Sequence, residues 1–365
     1  MVDVLVVGQT PPPFHGQAVM VDILLKGGCK DLKLHHVRMS FSRTVSEVGK
    51  FTLRKLWHQF YVIIAIVIAR LKYGARVLYY VPGGPSRMPV YRDIIILLAT
   101  RWMFQRLVFH IHACGISEYL DQQPRWLRSA YLLACGRPYL VIELSDFGPQ
   151  DAQYLKAQKR VVIPNGLKDE FPACSVVASH ENSEPVILFV GALMETKGIM
   201  VLLEASAILK QAGIPFRLDI VGETTDRLFY DRMNEYVAAH GLTGSVCFLG
   251  LRTGNEKNMT YLNSDVFCFP SFYPAEGMPL VVIEAMQFRL PVVATAWRGI
   301  QQLVKNNETG YLVPANDARM VAEKLAGLLT NRDVRRTMGE KARQYYLREF
   351  TDLKWRERMN AALSM

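Results

Sequence analysis

Short apolar runs of strand length recur down the whole chain, each followed by a segment of helical character. In the first half they lie at 4–7, 77–81, 107–112, 139–142 and 161–163; in the second, at 186–190, 217–221, 245–248, 266–269 and 291–294. Strands alternating with helices are the pattern of a parallel sheet covered by helices, which predicts an α/β fold. The 365 residues are enough for two such domains, each with its own core. A polar, small-residue stretch at 172–184 separates the halves. The expected organisation is a Rossmann-like domain over 1–172, a linker over 173–184, a second Rossmann-like domain over 185–345, and a charged C-terminal helix over 346–365 that crosses back to the first domain.

Charge divides unevenly between these halves. The net charge is +10, and residues 1–175 carry 22 Lys+Arg against 12 Asp+Glu, whereas 176–365 carry 21 of each. A one-sided basic half suits an anionic partner such as a membrane surface, a nucleic acid or a phosphorylated acceptor, or else simply a solubilising surface. No nucleic-acid-binding motif accompanies it, so nucleic acid is not an expected partner. The segment 60–69, FYVIIAIVIA, is apolar on every side but spans only about half of the ~20 residues a bilayer needs. It is expected as a helix buried between the sheet and its neighbours. Arg54, Lys55 and Trp57 before it, with Arg70, Lys72 and Arg76 after it, also fit a membrane-surface helix. The first strand is preceded by no charged lead and cleavage site, so a cytoplasmic chain, peripheral at the inner membrane face, is expected. The six cysteines are scattered without short paired spacing, against a zinc site or a disulfide framework.

The stretch PSFYPAEGMPLVVIEAM at 270–286 places Glu276 and Glu284 eight positions apart across a loop-to-helix junction. Pro279 suits the first helical position, which leaves Glu276 on the loop and Glu284 in the second turn. The amides of Gly277 and Met278, ahead of Leu280, lie at the positive end of the helix, where an anion is favoured. Two carboxylates around an amide nest fit a ligand with hydroxyls at both ends and phosphate in the middle, such as a nucleotide-sugar. For each glutamate the alternative is helix capping. In VILFVGALMETKG at 186–198 a strand ends at Gly191, and a loop delivers Lys197 just before a helix. That strand edge is where open α/β sheets bind ligands, and Lys197 is a compact charge for a diphosphate. His110 and His112, in LVFHIHACG at 107–115, share a strand face; each has the alternative of a core histidine.

Taken in order, His112 at a strand end, IPNG at 163–166, GALMETKG at 191–198, DVFCFPS at 265–271, the Glu276–Glu284 pair and ETGYLV at 308–313 resemble the retaining glycosyltransferases of family 4 (glycosyl transferases group 1). That family has the two-domain GT-B fold, two Rossmann-like domains with parallel sheets facing across a cleft. The resemblance is dense over 160–350 and looser over 1–150. It implies transfer of a sugar from a nucleotide-diphosphate donor to a saccharide or lipid-linked acceptor, with retention, in surface polysaccharide or glycolipid assembly. It also implies roles for individual residues. Glu276, His112 and Lys197 would be catalytic. Glu284, Gly277, Met278, Leu280, Gly191, Asn165 and Gly16 would bind the donor, and His15, Gly84 and Arg87 would face the acceptor. No cofactor or metal is expected: the family needs none and the chain has no Asp-x-Asp triplet. The chain departs from the family at Ala192, where an arginine commonly shares the diphosphate with the lysine, and at Gln302, where glutamate is common. Arg252 and Arg298, on loops after strands, are candidate replacements for the arginine. Two competing readings are a nucleotide-sugar epimerase or phosphorylase of the same fold, and a catalytically silent nucleotide-sugar-binding scaffold.

Overall fold

The computed structural model describes residues 2–12, 15–27, 32–41, 53–171 and 184–365. The chain forms two compact units, Met1–Gly166 with Asp352–Met365, and Leu167–Thr351. Most of the expected linker lies outside the described residues. The crossover into the terminal helix falls at 351/352, not at 346. Residues 167–171 go with the second unit, because Asp169 is clasped by both terminal nitrogens of Arg343, at 2.8 and 2.6 Å.

The first unit runs β1 (Val2–Gly8), α1 (Gly16–Gly27), β2 (Leu32–Arg38), α2 (Leu53–Tyr73), β3 (Val77–Tyr80), α3 (Arg87–Thr100), β4 (Arg106–Ile111), α4 (Ile116–Asp121), α5 (Arg125–Cys135), β5 (Leu140–Glu143), α6 (Asp151–Tyr154) and β6 (Lys159–Val162). All strand pairs are parallel, in the order β2-β1-β3-β4-β5-β6. From β1 the chain steps outward to β2 and then returns past β1 to β3. Connections therefore leave β1 and β3 in opposite directions, and a crevice opens at their carboxyl ends. Sheet residues such as Leu5, Leu78 and Phe109 share one core with Val62, Ile66, Ile94 and Leu127 of the helices.

The second unit runs β7 (Val186–Val190), α7 (Ile199–Gln211), β8 (Arg217–Val221), α8 (Arg227–Ala239), β9 (Val246–Gly250), α9 (Gly254–Leu262), β10 (Val266–Phe269), α10 (Leu280–Gln287), β11 (Val292–Thr295), α11 (Ile300–Leu303), β12 (Gly310–Val313), α12 (Ala318–Thr330) and α13 (Arg332–Glu349), after which α14 (Asp352–Ser364) rejoins the first unit. Its parallel sheet has the order β12-β11-β10-β7-β8-β9. The reversal falls between β7 and β10. Asp226, Asp317 and Asn331 cap α8, α12 and α13 by accepting from the amides of Phe229, Met320 and Val334, the usual remedy for unpaired first-turn N–H groups.

Three features differ from the sequence reading. Strands β2 and β12 are additional, and both lie at sheet edges. Pro279 is the residue before α10, in an extended conformation, and not its first helical residue. The apolar segment 60–69 is not buried all round. Val62, Ile66 and Ala69 face the core, while Phe60, Ile64 and Ile68 are more than half exposed, because a single helix layer covers that sheet face and α2 belongs to it.

Candidate active site

The loops after β7 and β10 meet at the reversal point of the second sheet. A tight turn, Glu195–Lys197, follows β7, and Gly198 enters α7 with φ of +76°. The carbonyl of Pro270 lies so close that a Cβ on Gly198 would stand 2.0 Å from its oxygen. Both the backbone angle and the close approach therefore require glycine. Phe272 N donates to Thr196 O at 2.9 Å and joins the two loops. By contrast, a Cβ on Gly191 would make ordinary contacts with the Phe189 and Phe269 rings at 3.4 and 3.5 Å, whereas one on Gly222 would stand 1.8 Å from the Gly191 carbonyl oxygen.

This junction sets Lys197 against Glu276. Lys197 Nζ donates to Glu276 Oε2 at 2.6 Å, and Ser271 Oγ donates to the same oxygen at 2.8 Å. The side chains are 16% and 8% exposed, so little water screens the pair. Lys197 Nζ also lies 4.7 Å from the centre of the Tyr273 ring, a cation–π contact. Only one of its three N–H groups is used by Glu276. Trp297 Nε1 donates to Tyr273 O at 2.9 Å, and the guanidinium of Arg298 lies 5.4 Å from the Trp297 ring centre. Arg298 thus belongs to the same chain of contacts as Lys197. Arg252, on the loop after β9, is not linked to it by any described contact.

Glu284 does not cap a helix. Its Oε1 accepts from Lys257 Nζ at 2.7 Å and its Oε2 from Tyr261 Oη at 2.8 Å. Lys257 and Tyr261 are four apart on α9 and so share a face. Burial and the Glu284 carboxylate raise the Tyr261 phenol well above its ordinary value, which keeps it a donor. Neither residue was singled out from the sequence, although their spacing is a usable signal. Glu276 precedes Gly277, the buried Met278 and the half-buried Leu280, the first residue of α10. The structure thus brings Lys197, Glu276, Gly277, Met278 and Leu280 to one junction, with Glu284 one helical turn further on.

In the first unit, the other predicted residues lie on the loops after β1, β3, β4 and β6. His15 caps α1, its Nδ1 accepting from Ala18 N at 3.3 Å, and Gly16 is the first residue of α1. Arg38 on β2 donates to the carbonyls of Thr10, Pro11 and Pro12 at 3.1, 3.1 and 2.9 Å and so holds this loop. A Cβ on Gly84 would touch Ala113 at 3.4 Å, which places Gly84 beside the His112 turn. Arg87 is exposed at the start of α3, and Asn165 is buried beyond β6. His112 follows β4 directly, and its ring lies 4.1 Å from that of His110. His110 is fully buried and paired through Nδ1 with Tyr79 Oη, so it is the core histidine of the two. Asp151 fixes the turn by accepting from the amides of Gly115 and Ser117 at 2.7 and 2.9 Å. Arg38 and Asp151 act across long sequence separations, and no local motif marks them.

Burial, with the nearby His15 adding to it, pushes the His112 imidazole down from 6.5 to about 3. Burial and His112 lower His110 as well. Both rings are neutral in the folded protein at physiological pH. The unfolded chain takes up these protons near pH 6.5 while the folded protein does not. Stability is therefore undiminished by these groups above about pH 6.5 and falls as the pH drops from there toward 3. Urea melts should show this slope between pH 6.5 and 5, and His112→Asn should make it shallower; an equal slope in the variant would contradict the depressed value.

Residues 175–345 match the model of the family described as Glycosyl transferases group 1. Over 146 residues the chain is 34% identical to the amylovoran biosynthesis glycosyltransferase AmsK of Erwinia amylovora, covering 39% of this chain and 35% of that one. Over 192 residues it is 30% identical to a phosphatidyl-myo-inositol mannosyltransferase of Mycobacterium leprae, covering 52% and 50%. These alignments span about a third to half the length of the curated relatives. The structure is similar to that of HepE from Anabaena, solved in complex with UDP, with a TM-score of 0.72, 18% identity and all of both chains covered. The two parallel six-stranded sheets and this likeness identify the architecture as the two-domain, Rossmann-like GT-B fold.

Proposed function

We propose that the chain is a retaining glycosyltransferase of the group 1 family that takes its sugar from a nucleoside-diphosphate donor. The observation that carries this reading is the Lys197–Glu276–Ser271 cluster at the reversal point of the second sheet, within the region that matches the family model. Glu284, one helical turn into α10, supplies carboxylate oxygens that suit ribose hydroxyls. The remaining N–H groups of Lys197, with the start of α10, suit the diphosphate, and Arg298 is the cation that stands in for the arginine missing at Ala192. In the reaction the bond between the anomeric carbon and the diphosphate oxygen breaks, and an acceptor hydroxyl oxygen bonds that carbon from the same face. Its proton passes to a donor phosphate oxygen. Lys197 offsets the charge that grows on the departing diphosphate, which is electrostatic catalysis by a preorganised group. His112, neutral at physiological pH, is assigned to the transferred sugar as a hydrogen-bonding group on the family resemblance. No metal is required in this scheme. The acceptor is a saccharide or a lipid-linked saccharide, the class suggested by the names of the relatives.

A thermal-shift screen with UDP, GDP and ADP tests the donor part. The preferred nucleotide at 100 times its Kd should stabilise the fold by about 2.7 kcal/mol, and no shift with any of the three would overturn it. Glu284→Gln weakens the acceptance of ribose hydroxyls without touching the phosphate end. It should raise the donor KM about tenfold with kcat nearly unchanged; an unchanged KM would remove Glu284 from the ribose role. Product formation only in the presence of an acceptor separates transfer from epimerisation, which needs none.

A further inference from the structure

We infer that the outer face of helix α2, extended by the helices beside it, docks on a bilayer containing anionic lipid, with α2 lying in the plane of the interface. At 100° per residue, Trp57, Phe60, Tyr61, Ile64, Ile68 and Leu71 fall within an arc of about 100°, opposite the buried Val62, Ile66 and Ala69. All six are exposed, from 53% at Phe60 to 74% at Trp57. The helix is apolar on two opposite sides, and only one of them is spent on the core. The face continues across its neighbours. Gln59 Nε2 on α2 donates to Arg92 O on α3, and the Tyr91 ring of α3 lies 6.3 Å from that of Trp126 on α5. Trp126 is 61% exposed, and Trp102, just after α3, is 75% exposed. An exposed apolar surface of this extent marks a site of association.

Charge identifies what covers it. Residues 48–117 contain ten Lys+Arg and a single acidic residue, Asp93. Asp93 is buried and paired with Arg92 at 2.7 Å. Helix α2 itself has no acidic residue, and Arg54 and Lys72 border the apolar stripe near its two ends. Bulky apolar and aromatic side chains on one face, with basic residues along the rim, are what an interfacial helix presents to acyl chains and anionic headgroups. A second copy of this chain would bring two basic rims together, which the charge opposes. No helix among the described residues is long and apolar enough to cross a membrane, so the contact is one of lying on the bilayer rather than spanning it. The inference stands on the first unit alone and does not depend on the donor chemistry proposed for the second.

Flotation of the full chain with vesicles of phosphatidylcholine containing phosphatidylglycerol, at 0.1 and 0.5 M salt, tests it. The protein should float with these vesicles at low salt, and about tenfold less at high salt or with phosphatidylcholine alone. The paired substitutions Ile64→Ser/Ile68→Ser and Arg54→Glu/Lys72→Glu, all at exposed positions, should each weaken binding about tenfold or more. Their thermal unfolding and nucleotide-induced shift should stay unchanged. Absence of flotation at low salt, equal binding to neutral vesicles, or full binding by the serine variant would each overturn the inference. So would a serine variant that merely converts a dimer to a monomer in solution.

Discussion

Exchanging Glu276 for glutamine should lower the rate of sugar transfer by about 10²–10³-fold while leaving the protein folded. Lys197→Met should do the same. The two effects should not add, because the residues share one short, buried ion pair. Each single change leaves a charge uncompensated in a poorly hydrated place: opposite glutamine the ammonium has a neutral amide acceptor and its ring contacts with Tyr273 and Phe269, but no counter-charge. Breaking such a pair costs about 3–5 kcal/mol, and removing both charges costs less than removing one. The double variant should therefore melt above either single variant, yet be no more active than the worse of them. Steady-state kinetics beside thermal melts of the four proteins decide the matter. Wild-type rates in either single variant would remove the pair from catalysis, and additive losses would show that Lys197 and Glu276 act separately.

Gly198→Ala should force apart the two loops that meet at the reversal point of the second sheet. At φ of +76° an alanine is strained whatever surrounds it, and its Cβ would lie 2.0 Å from the Pro270 oxygen. Neither the turn after β7 nor the loop after β10 can retreat without losing the Phe272–Thr196 hydrogen bond that joins them. A cost of about 2–4 kcal/mol is expected, and the surviving folded protein should bind nucleotide poorly because Lys197 and Glu276 are displaced from one another. Gly213→Ala is the control. It shares a positive φ, but a Cβ there meets no heavy atom within 4 Å, so it should cost about 1 kcal/mol and leave binding intact. Equal losses in both variants would show that backbone angle alone, and not the loop contact, makes Gly198 necessary.

The parts of the fold that could be read from residues were those with a local signature. Strands β1, β7 and β10 are continuous apolar runs because both their faces are covered. The two strands that escaped, β2 and β12, are edges: β2 reads LKLHHVR with alternating exposure, and β12 is four residues with two half-buried. Such short or alternating strands lack the unbroken apolar run that marks a covered one. The glutamates at 276 and 284 were legible because a proline and an apolar run mark the start of α10 within a few residues of both. Their partners were not. Ser271 lies in a quoted motif without a distinguishing role, and Lys257 reaches Glu284 only through the packing of α9 on α10. Between the two readings of segment 60–69 the residues do not decide, because an all-apolar decamer looks the same whether one side or both are covered, and that depends on the number of helix layers.

The first unit is assembled from two stretches of chain separated by the whole of the second. Trp355, completely buried, comes from α14 and sets its indole 6.5 Å from the His110 ring, while Arg356 reaches the Gly27 carbonyl from the same helix. During synthesis, therefore, residues 1–166 emerge first but cannot complete their packing until the segment 352–365 has left the ribosome. The second unit, contiguous over 167–351, can close as soon as it is made. The order of folding should thus run against the order of translation, with the early half held open at the slot for a tryptophan that arrives last.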